Sequence, residues 1–197
     1  GSRYFYSYED ATVKVTARLQ YKNAVPDTAE LKVTQIKSGE IFETYIAALN
    51  DARTQEEIEQ NKVYDASNTY LFDVAFIDCK YDEDGNPIEG SEYEYQPVDG
   101  SVDIKIVIKE NGFDESEVNH LTMDEETKAS GDTTLEASQN ASKNNIEVTP
   151  VDSTDSKDSN DNSITEFKLD GFSIISITGT NVNKVEIDKT PGAAIRL

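Results

Sequence analysis

Residues 11–21, ATVKVTARLQY, alternate with a period of two: Ala11, Val13, Val15, Ala17, Leu19 and Tyr21 fall on one side, and Thr12, Lys14, Thr16, Arg18 and Gln20 on the other. That spacing predicts a β-strand with one face in a core and one in water. A turn containing Pro26 leads to a second strand over residues 29–36, closed by Ser38-Gly39. SVDIKIVI repeats the alternation most cleanly, with Val102, Ile104, Ile106 and Ile108 inward and Asp103 and Lys105 outward. Between them, Tyr70, Phe72, Val74 and Phe76 share one side while Leu71, Ala75, Ile77 and Cys79 share the other. A strand apolar on both sides is expected to be covered on both faces.

The period changes over residues 40–61. Ile41, Tyr45, Leu49 and Ile58 recur at helical intervals, and Thr54 with Glu57 spells a capping box, so two helical pieces joined near Asp51 are expected. After Gly112 the strands shorten: VNHLTM, TTLEAS, IEVTPV, ITEFKL, FSIISIT and KVEI. VDSTDSKDSNDNS, residues 151–163, falls between two of these, where a hairpin loop belongs. The expected fold is mainly β, of sandwich type, with a short helical insertion at about residues 40–61. The expected division is a tag remnant and leader at 1–7, a β module at 8–110, a smaller β module at 111–188 packed on the first, and a linker at 189–197 around Thr190-Pro191-Gly192.

Charge narrows the choice of partners. Asp plus Glu number 39 against 18 Lys plus Arg, a formal net charge of −21, which repels phosphate backbones and anionic lipid headgroups. Nucleic acid and direct membrane insertion are therefore not expected; no stretch approaches the roughly 20 apolar residues of a membrane span. The sequence shows no signal-peptide pattern. A single cysteine, Cys79, rules out an internal disulfide, a Cys-rich zinc site and a CxxC redox pair.

Four candidate sites remain. Asp152, Asp155, Asp158 and Asp161 recur three apart and suggest either a Ca2+ site or a solvated hairpin tip; the run lacks the alternate spacing and the Gly of an EF-type loop. Tyr93 and Tyr95 follow an acidic turn, and Tyr4 and Tyr6 cluster near the start; either group suits a ligand-contact patch or the cover of a core. A Cys/His dyad would require the sole Cys79 to meet the sole His120, and Cys79 reads instead as a core thiol. An intramolecular crosslink would join Lys14 to Asn181 or Asn183, but strand parity turns Lys14 away from the apolar side. No catalytic residue is assigned.

FKLDGFSIISITGT, residues 167–180, resembles the end of the ZU5/UPA-like β modules found in large surface proteins of gut Firmicutes. There, an Asp-x-Phe-Ser step is followed by alternating apolar residues. Earlier pieces agree in order over residues 8–180: TVKVTARL, a Pro-Asp turn before AELKVTQI, a helix around YIAALNDA, then FDVAFIDCKYDEDGNPIEG, VDIKIVI and VNHLTMDEE. The resemblance implies an extracellular, noncatalytic module acting as adhesin or spacer within a longer, wall-anchored cell-surface protein. Its partners would be neighbouring domains of that protein. One alternative is a binder of host glycoprotein, mucin glycan or immunoglobulin, and another is an unrecognised hydrolase. Some ZU5 relatives cleave themselves at a His-Phe-Ser step through the Ser hydroxyl. Here Gly171 precedes Phe172-Ser173, so that His is missing from its place.

Overall fold

The computed structural model describes residues 4–21, 24–97, 101–109 and 113–180. Within them the chain forms a mainly β sandwich of two antiparallel sheets. The first sheet contains β1 (Phe5–Glu9), β2 (Val13–Leu19), β6 (Val102–Ile108), β10 (Ser163–Leu169) and β9 (Ser153–Lys157), in that spatial order. The second contains β3 (Glu30–Ile36), β4 (Thr69–Asp78), β11 (Ile174–Gly179), β7 (Ser116–Met123) and β8 (Ile146–Val151), with the short β5 (Tyr93–Tyr95) paired to the end of β4.

Alternation places the core as expected in β2 and β6. Val13, Val15, Ala17 and Leu19 are buried, as are Val102, Ile104, Ile106 and Ile108, and they meet Leu31, Val33, Phe72, Val74, Phe76, Ile175 and Ile177 from the second sheet. Ala11 and Tyr21, expected on the same face, lie beyond the ends of β2 and are exposed. At one end the Asp10 carboxylate accepts from the backbone N–H of Thr12 and Val13, 2.8 and 2.9 Å away, and that turn starts the strand at Val13. The leader expected at 1–7 is corrected too: β1 begins at Phe5 and pairs along β2, with Tyr6 in the core.

β4 is covered on both faces, as its apolar run implies. Phe72, Val74 and Phe76 face the first sheet, while Leu71 meets Phe42, Tyr45 and Leu49 of α1 (Glu40–Asp51). α1 starts at Gly39, whose φ of 95° is a backbone state that side-chain-bearing residues rarely adopt. α2 (Gln55–Glu59) opens on the expected capping box: the Thr54 hydroxyl accepts from Glu57 N–H at 3.1 Å, and the Glu57 carboxylate accepts from Thr54 N–H at 2.8 Å.

Three further expectations are corrected. TTLEAS is not a strand. A brief turn of helix, α3 (Glu125–Lys128), leads to α4 (Thr134–Ser138), in which Thr133 and Glu136 form a second reciprocal capping box at 3.2 and 3.1 Å. Those two bonds satisfy N-terminal donors that a strand would leave unpaired. VDSTDSKDSNDNS is not one loop: the chain crosses from sheet to sheet at Asp152, forms β9, and turns only at residues 158–162. Finally, strands from both sides of the boundary expected near Asn111 share both sheets, β6 pairing with β10 and β4 with β11. Asn111 itself lies outside the described residues, as do KVEI, residues 189–197, where a linker is expected, and the first three residues.

Candidate functional site

A compact arrangement of chemically capable side chains surrounds the Phe172-Ser173 step. β7 and β11 are neighbours in register, with His120 opposite Ile175 and Leu121 opposite Ile174. That register carries Ser173, one residue before β11, against β7. Its hydroxyl lies 2.6 Å from His120 Nε2 and 2.9 Å from the Leu121 carbonyl oxygen. One hydroxyl proton cannot serve both. When Ser173 donates to Leu121, His120 Nε2–H donates to Ser173; with the other tautomer, the bare Nε2 accepts the Ser173 proton.

The preceding residue is held as firmly. The Phe172 ring stacks on Phe76 with centroids 4.9 Å apart. The Gln96 side-chain amide accepts from Phe172 N–H at 2.9 Å and donates to the Phe172 carbonyl at 3.0 Å. Burial, followed by the charge of Lys128, lowers the His120 pKa, with Asp170 opposing, so the imidazole is favoured in its neutral form. A Ser hydroxyl on a neutral imidazole, next to a carbonyl that already accepts an amide N–H, is a geometry in which the Ser oxygen can be activated. Ser173 is only 6% exposed, and the carbonyl that immediately precedes it in the chain is that of Phe172, which Gln96 already holds.

His120 also lines a groove of about 960 Å3 that runs over the outer face of the first sheet, past Arg18, Asp103, Lys168 and Asp170. Arg18 sits 5.4 Å above the exposed Phe5 ring, and Lys168 Nζ lies 2.6 Å from Asp103 Oδ1.

The residues singled out from sequence are dispersed. Tyr6 packs edge-on against Phe76 at 4.9 Å and is buried, and its candidacy for ligand contact is corrected by its inward parity on β1. Tyr95 pairs with Phe76 across β5 and packs half-buried against the same core. Tyr93 is half-buried, and Tyr4 is exposed at a smaller groove with Phe5 and Arg18. The four rings form no common platform.

The aspartates have separate duties. Asp155, on β9, accepts from Ser116 N–H at 3.0 Å and Ser116 hydroxyl at 2.6 Å, tying the first sheet's edge to the second sheet. Asp158 accepts from Asn160 N–H and from the Asn162 backbone and side chain, bonds that lower its pKa, and Asp161 takes a φ of 65° in the same turn. Among the described residues no three His, Cys, Asp or Glu side chains gather as a metal site. The alternation of β9 and the tight turn after it spread the four carboxylates apart.

Cys79 and His120 line different cavities. Lys14 is exposed, as its parity implies, and its trial partners Asn181 and Asn183 lie outside the described residues. In the chain, Gly171, not a histidine, precedes Phe172-Ser173. The structure supplies one 53 positions away through strand pairing, and Gln96 arrives from a loop with no motif to announce it. No family model matches the chain, and neither a curated protein nor a solved structure does.

Proposed function

We propose that this chain is a noncatalytic module of a bacterial cell-surface protein, ZU5/UPA-like in kind, that spaces or presents neighbouring domains. The observation that carries this reading is where the polar side chains are used. Asp155 binds one sheet to the other, Gln96 clamps the Phe172 backbone, and Glu94 accepts from both the backbone N–H and the hydroxyl of Thr134. Cross-ties of this sort suit a body that must keep its shape between neighbours, and a net charge of −21 keeps it soluble. An antibody to the module is expected to label intact, unpermeabilised cells of a producing strain. Arrays of mucin glycans, host glycoproteins and immunoglobulin are expected to stay silent. Labelling only after lysis would overturn the surface assignment, and a saturable array signal would move the reading to a host-binding module.

The Ser173–His120 contact favours a second reading, self-cleavage. Ser173 Oγ would bond to the Phe172 carbonyl carbon as the C–N bond breaks, its proton passing through His120 to the departing Ser173 nitrogen. Water would then split the resulting ester into a Phe172 carboxylate and a Ser173 hydroxyl, leaving a free Ser173 amine. The noncatalytic reading expects one full-length species on a denaturing gel and by intact mass. Two pieces meeting at Phe172-Ser173, and absent from Ser173→Ala, would establish the second.

A further inference from the structure

A second cleft, of about 610 Å3, lies between Tyr8, the start of β3, the end of β4 and the hairpin at residues 81–92. Its walls are apolar where Leu31, Ile77, Tyr81 and Ile88 line it. Tyr81 and Ile88 are 41% and 44% exposed, two of the few large hydrophobic side chains left in water among the described residues, and both border this one cleft.

They are held there by the hairpin's own bonding. Tyr81 bridges to Pro87, Ile88 N–H donates to the Lys80 carbonyl at 2.8 Å, and the Ser91 hydroxyl donates to the Ile88 carbonyl at 2.6 Å while accepting from Lys80 N–H. Gly85 and Gly90, at φ of 82° and 78°, make the bends. An apolar surface that is presented by a tied hairpin is preorganised for contact.

Charge and backbone specify what fits. Among the described residues, Glu30, Asp78, Glu89 and Glu92 border the cleft, against the single cation Lys32. Asp78 is already occupied by the Thr28 hydroxyl and Cys79 N–H, both at 2.8 Å, so the glutamates supply the rim's charge. One wall is β3, an end strand of its sheet that, among the described residues, is laddered to β4 on one side only. An end strand is a template for an added extended segment, with side-chain pockets setting preference.

We propose that this cleft binds an extended peptide segment that alternates Arg or Lys with apolar residues. The apolar side chains would lie against Tyr81 and Ile88, and the cations against Glu89 and Glu92. The proposal deepens the presentation reading by giving a partner's chemistry, and peptide binding is measured independently of where the module resides.

The test uses two fluorescein-labelled peptides with blocked ends, Val-Arg-Leu-Arg-Val and Val-Glu-Leu-Glu-Val, titrated with the whole chain. Cys79, half-buried in the cleft, reports occupancy through its rate of reaction with a thiol reagent. The Arg peptide is expected to bind at least ~10-fold tighter than the Glu peptide and to slow Cys79 labelling several-fold at saturation. Ile88→Ser, at an exposed position, is expected to weaken it about 10-fold with the melting temperature unchanged. Glu89→Gln with Glu92→Gln should weaken it in low salt and less in high salt. Absence of binding up to millimolar peptide, equal binding of both peptides, binding indifferent to both variants, or Cys79 labelling unmoved by saturating peptide would each overturn the proposal. A negative result leaves the cell-labelling outcome untouched, so the two readings fail separately.

Discussion

Two aspartates at outward positions of their strands meet opposite fates. Asp103, on β6 of the first sheet, stands in water with Lys168 Nζ 2.6 Å away. Asp73, on β4 of the second sheet, lies under the helical layer, 5% exposed, with no hydrogen-bond partner for its Oδ1 among the described residues. Burial first, then the nearby Glu94 carboxylate, pushes Asp73 up to about 8, while Lys32 pulls the other way; the Tyr45 hydroxyl of α1 is pushed up to about 12, by burial above all and then by both carboxylates, against its bond to Ser138. Glu94 is itself raised by burial, though its bonds to Thr134 oppose this. The difference is the cover. An outward face left in water makes its charges almost independent of folding, whereas a roofed face couples their ionisation to the fold.

The largest expected effect lies in the layer both sheets share. Phe76 touches the Tyr6 and Phe172 rings, each at 4.9 Å. Phe76→Ala should cost about 3–5 kcal/mol in a urea melt; a loss below about 1 kcal/mol would mean that the sheets are not held by this core.

Asp73→Asn sharpens the contrast and carries a sign. Folded Asp73 keeps its proton up to about pH 8, while an unfolded aspartate loses it near 3.8. The folded state therefore binds the extra proton between those values, and native stability falls as pH rises through that window, levelling off above it. Asn removes the slope. Relative to the parent, Asp73→Asn should gain roughly 2–4 kcal/mol between pH 4 and pH 9. Parallel stability curves for the two proteins would show that Asp73 is not ionising at a cost.

The same contrast explains which parts of the structure were readable. In β2 and β6 the outer face is in water, so alternation alone names the core, Val13 to Leu19 and Val102 to Ile108, residue by residue. β4 announces its two covers by being apolar on both sides, yet nothing in the pattern distinguishes Asp73, which the roof makes unusual. Thr54-x-x-Glu57 was legible as a helix start because the flanking period was helical. Thr133-x-x-Glu136 carries the same signature and opens an equally short helix, but no long helix like α1 stands beside it to show a period. The Ser173 site was half legible: Phe172-Ser173 stood out, but its histidine and its Gln96 clamp depend on register and on a loop, and both are properties of the assembled sheet. The acidic hairpin also drew notice, through Tyr93 and Tyr95. The large apolar side chains it presents to water are Tyr81 and Ile88.

The helical cover itself can be tested at α4, whose Thr134 anchors Glu94 through both its backbone N–H and its hydroxyl. Thr133→Ala removes one cap bond from that helix and should cost about 1 kcal/mol, as should Thr54→Ala at α2. The two substitutions are expected to differ at high pH. Loosening α4 admits water to Glu94 and Asp73, so part of the Thr133→Ala loss should be recovered near pH 9, whereas the Thr54→Ala loss stays constant. Equal losses across pH would separate α4 from the acidic pair.

The smallest effect is expected at Asp103. Its side chain is 52% exposed and that of Lys168 70%, so water and salt screen the pair despite its short contact. Exposed pairs of this kind contribute about 0.2–1 kcal/mol, with ordering of the long lysine chain offsetting most of the attraction. Asp103→Asn should therefore change stability by no more than about 0.5 kcal/mol in low salt, and by less in 0.5 M sodium chloride. A loss above about 1 kcal/mol that persists in high salt would mean that something besides water covers the outer face of the first sheet, and the contrast between the two aspartates would then be one of degree.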